Sequence, residues 1–303
     1  MTTKSDTLID ENYKFIKQQL AAIDPADIVA QRLVLETLHS SALEPLDVTY
    51  EEVRCPGTTR PAIWCKPLVA FLNHAILYTH GGAGFAGSPQ SHRKIAGHIA
   101  KASGCPALVI DYRLVPEHPF PAGLLDALAA YKWMLETIPA HNIAVVGDSM
   151  GGNLAISLVL KARETGLAPP SAIVAISPWL DMEQFGTSIR DNIDRDLLAS
   201  PGTFAQISKL YLGETCPQDP FANPLYGEYH GFPPMFLTAG GAEMLADNAT
   251  RLGERAQAAG AHVEVEVVPD MQHVFPFMAG NSKVADRTVE KIGHFIKINL
   301  NLL

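Results

Sequence analysis

A strand-like run, NIAVVGD at 142–148, leads straight into Ser149-Met150-Gly151-Gly152 and then into a helical pattern. Gly147-Asp148-Ser149-Met150-Gly151 therefore reads as G-x-S-x-G in the strand, turn and helix setting that makes a serine a nucleophile. Side chains at 147 and 151 would strike the neighbouring strand and helix, while Ser149 is held exposed at a helix N-terminus. The blander alternative is a serine N-cap in a Gly-rich turn, which would do no chemistry.

A serine hydroxyl is a weak nucleophile until a base takes its proton, and in this setting the partners follow in the order Ser, acid, His. His273, in the loop after HVEVEVV (262–268), is placed to reach over the C-terminal edge of a sheet. His230 and His262 read as ordinary solvated histidines. The acid is expected after PMFLTAG (234–240), where Glu243 sits at the strand end and Asp247 one helical turn further on. Glu243 is preferred, because a strand-end side chain points at the site and one inside the next helix caps or pairs instead. Asp270, three residues before His273, is a third candidate.

Acyl transfer also needs fixed N–H donors for the developing oxyanion, worth roughly 2.7–4 kcal/mol each. His80-Gly81-Gly82-Ala83-Gly84-Phe85 follows AILYT at 75–79, and its backbone N–H groups at Gly82 and Ala83, with that of Met150, are expected to form the hole. Alanine at 83 keeps a backbone donor provided its φ is tolerable. His80 reads as a structural hydrogen-bonding residue. Gly82-Ala83-Gly84-Phe85-Ala86-Gly87 also spells G-x-G-x-x-G with Asp111 ending the next strand, a mimic of a dinucleotide fingerprint. The glycines precede Ser88-Pro89, so the helix begins too late, Asp111 lies 29 residues beyond Gly82, and Ser149 and His273 would be left without a role.

The elements that must position these residues alternate between strand and helix. HAILYTH precedes a helix over about 90–103, ALVIDYR one over about 122–137, and NIAVVGD one over about 150–165. SAIVAIS, PMFLTAG with a helix ending before Gly260, and HVEVEVV follow. Apolar strands of this kind imply a mainly parallel sheet with right-handed crossovers and helices on both faces. Ahead of them, 46–67 reads as a hairpin around PGTTR, and 8–23 and 25–39 as two helices, the second with Asp24 as N-cap and Pro25 in its first turn. The stretch from Trp179 to about Tyr229 is too long for a simple connection and, with the N-terminal helices, is expected to form a cap.

The 303 residues are 47% hydrophobic and 18% charged, enough for one large core. The formal charge of −9 is spread along the chain, with no basic footprint for nucleic acid or anionic lipid. Met1–Asn12 is polar, with no apolar leader, and no stretch reaches the roughly 18 apolar residues of a membrane span, so a soluble cytoplasmic protein without stable membrane insertion is expected. Cys55, Cys65, Cys105 and Cys216 show no metal-ligand rhythm, and Cys55 and Cys65 read as buried free thiols. No cofactor or metal is called for. A homodimer through an edge strand or the cap is compatible with the pattern.

HGGAGFAGSPQSHR (80–93), DYRLVPEHPFPAGLLDA (111–127), GDSMGGN (147–153), SPWLD (177–181), GGAEMLAD (240–247) and HVF (273–275) together resemble the hormone-sensitive-lipase family of bacterial α/β-hydrolases over about 46–275. The resemblance implies an eight-stranded, mostly parallel sheet; a domain over 46–303; and a cap built from 1–45 and about 180–229. It also implies a Ser149–His273 pair, an acid at Glu243 and an oxyanion loop over Gly81, Gly82 and Ala83. That family's acid is usually aspartate, so Glu243 is a departure. Ala83 for the third glycine is similar to a subset resembling monoterpene ε-lactone hydrolases and acetyl hydrolases. Arg113, Glu117, Asp126, Asp148 and Asp181 read as turn and ion-pair scaffolding.

The expected activity is hydrolysis of short-chain or small apolar esters through an acyl-enzyme, with lactone hydrolysis as the alternative. Amide hydrolysis or deacetylation would use the same residues, and a non-catalytic binder would keep only the fold. Phe85, Leu198, Phe204 and Tyr211 are the candidate pocket side chains.

Overall fold

Short, mainly aliphatic runs form the centre of the sheet, where both faces are covered. In the computed structural model, which describes residues 4–56, 58 and 60–303, β3 (Ala75–Thr79), β5 (Ile143–Asp148) and β6 (Ala172–Ile176) are buried at every position. Among the described residues eight strands form one sheet, adding β1 (Val48–Val53), β2 (Ala62–Pro67), β4 (Ala107–Val109), β7 (Met235–Gly240) and β8 (Val263–Val268). Their order is β1-β2-β4-β3-β5-β6-β7-β8, with β2 antiparallel to both neighbours and the other pairs parallel.

The period-two alternation sorts side chains between two cores. Leu77, Val145 and Ile173 face α4 (Ala122–Leu135), α5 (Met150–Glu164) and α8 (Ala246–Ala258). Ile76, Val146 and Val174 face α3 (Pro89–Ser103) and α9 (Lys283–Asn299). Each such aliphatic side chain contributes about 1.5–3 kcal/mol on burial. A third cluster lies over the C-terminal edge of the strands. It joins Leu35 of α2 (Ile28–His39), Phe85, Met150, Trp179 and Ile189 of the short α6 (Ser188–Asp191) with Phe204 and Tyr211 of α7 (Pro201–Leu212).

The β1–β2 hairpin forms as expected, with Val48 opposite Pro67, although residues 57 and 59 of its PGTTR connection lie outside the described residues. The first helix, α1, runs Lys4–Ala21. The expected Asp24 cap is corrected: Asp24 accepts the Ala26 N–H at 2.9 Å in a separate turn, and Asp27 is the N-cap of α2, accepting the Ala30 N–H at 3.0 Å. A turn after α1 takes up Pro25 before helical geometry resumes. Helix α9 was not foreseen, although Ala285, Val289, Ile292 and Ile296 give it a buried stripe. Cys55 and Cys65 are buried and free, as is Cys105, whereas Cys216 is free and exposed. No helix among the described residues is long and apolar enough to cross a membrane.

Candidate active site

The turn at Ser149 is forced by two close approaches. A Cβ at 147 would lie 2.2 Å from the Gly151 carbonyl oxygen, and one at 151 would lie 2.1 Å from that of Thr79, so only glycine fits either place. The turn holds Ser149 at φ +53°, ψ −121°, outside the ordinary wells for a residue with a side chain. Two backbone bonds keep it there: Ser149 N–H donates to the Ile176 carbonyl at 2.8 Å, and the Ser149 carbonyl accepts from Trp179 N–H at 3.0 Å. The serine side chain makes no capping bond to α5, so the N-cap alternative is not what the hydroxyl does.

Instead its Oγ lies 2.9 Å from His273 Nε2, and His273 Nδ1 lies 2.7 Å from Glu243 Oε2. With a proton on Nδ1, His273 donates to the carboxylate and accepts from the serine hydroxyl. Glu243 is fully buried on the turn after β7. His273 lies in the loop after β8, where Val274 N–H donates to Ser177 Oγ at 3.0 Å and the buried Tyr13 hydroxyl of α1 donates to the His273 carbonyl. The other acid candidates point elsewhere. Asp247 accepts the Ser188 N–H at 3.2 Å, and Asp270 is exposed and paired with Arg195 at 2.8 Å. His230 and His262 are exposed, as is His294 on α9.

Burial disfavours the imidazolium of His273, but the charge of Glu243 and its hydrogen bond outweigh that penalty. Asp196 and Asp148 add to them, and the pKa is raised above 6.5. A base must be neutral to accept a proton, so kcat/KM on p-nitrophenyl acetate is expected to fall, as pH is lowered, through a midpoint above 6.5. The same raised pKa stabilises the fold below pH 6.5, and that contribution is lost as pH rises through the folded value. A pH–rate profile whose acid limb lies below 6.5 would contradict this arrangement.

Across the serine, the loop after β3 presents backbone. Gly82 has φ +109° and Ala83 φ +56°, and the N–H groups of Gly82, Ala83 and Met150 have no hydrogen-bond partner among the described residues. Ala83 therefore occupies the left-handed region, which costs a non-glycine residue roughly 1–2 kcal/mol. The inclusion of Gly81 among the donors is corrected: its N–H donates to Asp148 Oδ1 at 3.0 Å. Asp148 also accepts the Tyr78 hydroxyl at 2.8 Å, so this buried carboxylate, next to Ser149, fixes the loop to the elbow. Burial, with His92 beside it, pushes His80 down to about 4, and its Nδ1 bonds the Gly81 carbonyl at 2.8 Å. His80 is thus an uncharged structural residue at neutral pH.

Phe85, Phe204 and Tyr211 join Met150 and Trp179 in the third apolar cluster, with the Trp179 and Phe204 rings 5.1 Å apart. Leu198 is corrected out of that group. Asp196 Oδ1 accepts the N–H groups of Leu198 and Ala199 at 2.8 and 2.9 Å, and Leu198 packs instead against the second core, which also holds Tyr13, Val274 and Phe275. The scaffold carboxylates find cations, Arg113 with Asp126 at 2.7 Å and Arg251 with Asp181, while Arg32 of α2 joins Glu117 at 2.7 Å. The G-x-G-x-x-G mimic ends before Ser88, the N-cap of α3, and Asp111 is paired with Arg60 at 2.6 Å. Sequence reasoning missed Tyr13, Ser177, Asn192, Asp196 and Gln272, which hold the two loops, because single polar residues in loops carry no periodic signal.

Residues 76–277 match the family described as the alpha/beta hydrolase fold. The chain is 36% identical over 237 residues to the acetyl-hydrolase of Streptomyces hygroscopicus, covering 78% of this chain and 79% of that protein. It is 32% identical over 228 residues to the ethyl acetate hydrolase of Pseudomonas putida, covering 72% and 70%. The crystal structure of an esterase from the bacterial hormone-sensitive lipase family superposes with a TM-score of 0.93 at 35% identity, covering 99% of each chain.

Proposed function

Because the chain belongs to the α/β-hydrolase fold family, within its bacterial hormone-sensitive-lipase branch, we propose that it hydrolyses short-chain carboxylic esters with Ser149 as nucleophile. The observation that carries the reading is the continuous chain from Ser149 Oγ through His273 to the buried Glu243, at 2.9 and 2.7 Å. His273 takes the hydroxyl proton as Oγ attacks the ester carbonyl, and Glu243 stabilises the imidazolium so formed. The N–H groups of Gly82, Ala83 and Met150 receive the oxyanion. The imidazolium protonates the departing alkoxide, and the neutral imidazole then activates the water that releases the acid.

Two features favour small acyl groups. Ser149 is only 6% exposed, and Phe85, Phe204 and Tyr211 close over the same edge of the sheet. Relatives named for acetyl and ethyl acetate hydrolysis agree in size. Initial rates on p-nitrophenyl acetate, butyrate and octanoate and on a seven-membered lactone test this. The expected order has acetate and butyrate first and octanoate at least about fivefold slower, since filling an already packed pocket costs about 1–3 kcal/mol. Octanoate ranking first would refute the short-chain reading, and the lactone ranking first would make the protein a lactonase.

A further inference from the structure

We infer that residues 188–198, the proximal part of the insertion after β6, form a fixed brace that holds the Glu243 loop and the His273 loop in register, with Asp196 as its central positioning residue. The inference rests on the serine-esterase reading, because it concerns how that hydrogen-bonded chain is held.

Glu243 and His273 belong to separate loops, and the insertion grips both. Asp196 is buried, and its Oδ2 accepts the N–H of Met244, the residue after Glu243, at 2.8 Å. Its Oδ1 accepts two further N–H groups, those of Leu198 and Ala199. Asn192 Nδ2 donates to the carbonyls of Gly241 and Glu243 at 3.2 and 2.8 Å. On the other side, Leu197 N–H donates to Gln272 Oε1 at 2.9 Å, and Gln272 Nε2 returns a bond to the Arg195 carbonyl at 3.1 Å. The residue after the acid and the residue before the base are thus tied to one short segment. Without it, the direct backbone links that remain between the two segments are Gly241 N–H to the Val268 carbonyl at 2.7 Å and Ala242 N–H to the Met271 carbonyl at 2.9 Å, both ahead of Glu243 and His273.

A carboxylate is required at 196 because three N–H donors converge on its two oxygens. An amide offers one acceptor oxygen and turns an N–H₂ toward the remaining donor. Asp196 also adds negative charge near His273, beside Glu243 and Asp148. The nearby cations are Lys17, whose Nζ donates to the Asp196 carbonyl at 3.3 Å, and Arg195, which is paired with Asp270. The Tyr13 hydroxyl facing the His273 carbonyl is neutral at working pH, its pKa raised by burial.

Asp196→Asn tests the brace, measured on p-nitrophenyl acetate from pH 5 to 9 beside wild type and Ser149→Ala, with Tm recorded for each. Misplacing a base by a fraction of an ångström gives an expected loss of about tenfold or more in kcat, with KM within about twofold. The acid limb moves to lower pH because a charge favouring the imidazolium is gone. Asn192→Ala, which removes no charge, is expected to lower kcat several-fold with the limb in place. A folded Asp196→Asn with wild-type kcat and limb, or a loss that only follows the folded fraction, would overturn the inference. If Asp196→Asn does not fold, Asn192→Ala at wild-type kcat overturns it. The far-downfield proton resonance of the Nδ1–H shared with Glu243 reads the brace without turnover: broadening in the variants supports it and an unchanged line refutes it. Absence of turnover in wild type would instead count against the esterase reading.

Discussion

Ser149→Ala is expected to lower kcat/KM on p-nitrophenyl acetate by about 10⁴-fold or more, with the folded protein retained. The change deletes one atom, the Oγ that lies 2.9 Å from His273 Nε2, and leaves the β-carbon in place. The strained backbone at Ser149 is held by the Ile176 and Trp179 bonds, which alanine keeps, and alanine meets the same φ penalty as serine. The hydroxyl makes no capping bond, so the loss to stability is about that of one hydrogen bond, about 1 kcal/mol, or a Tm change of at most about 4 °C. The oxyanion donors survive and leave some rate above background. Two measurements, an initial rate and a thermal melt, decide the matter. Retention of a tenth of the wild-type rate would mean that Ser149 is a turn residue and that water, activated directly by His273, is the nucleophile.

The parts of the molecule legible in the sequence are those whose local pattern and tertiary role agree. Strands such as AIVAI are apolar throughout because helices cover both faces, and their length separates them from helices. The elbow is legible because steric demand fixes glycine at 147 and 151, and His273 because chain order and a strand end point to it. What was not legible depends on contacts across long separations. Tyr13 and the carbonyl of His273 are 260 residues apart, and no local pattern marks the tyrosine. The Gly81 N–H looked like its neighbours until Asp148 was placed against it. Both Asp24 and Asp27 are sound cap residues, and a tertiary choice of where α2 begins separates them. Helix α9 carries its apolar stripe in its own sequence but no candidate site residue.

The second large effect is expected at the acid, where a familiar aspartate gives way to a longer side chain. Glu243→Gln should lower kcat by about 10³–10⁴-fold, as neutralising the acid of a triad does by favouring the wrong imidazole tautomer. Two physical losses combine. The imidazolium formed during attack loses the buried charge that raises the His273 pKa, so the acid limb of kcat/KM moves to lower pH even as the plateau falls. The amide can also turn its N–H₂ toward Nδ1, which places the imidazole proton on Nε2, facing Ser149 Oγ, where it cannot accept. Glu243 is fully buried and its Oε1 has no hydrogen-bond partner among the described residues, so Oε2, facing His273, is the carboxylate oxygen that holds the imidazole and the one whose loss to an N–H₂ matters. The competing acids provide the control. Asp247→Asn weakens a turn that Ser188 and Arg251 share, and Asp270→Asn breaks an exposed pair with Arg195 of the kind that contributes little. Each is expected to keep kcat within about threefold, since neither carboxylate touches the imidazole. A loss at Asp247 or Asp270 equal to that at Glu243 would transfer the role of acid to that residue, and it would require the His273 ring to leave the position in which Glu243 holds it at 2.7 Å.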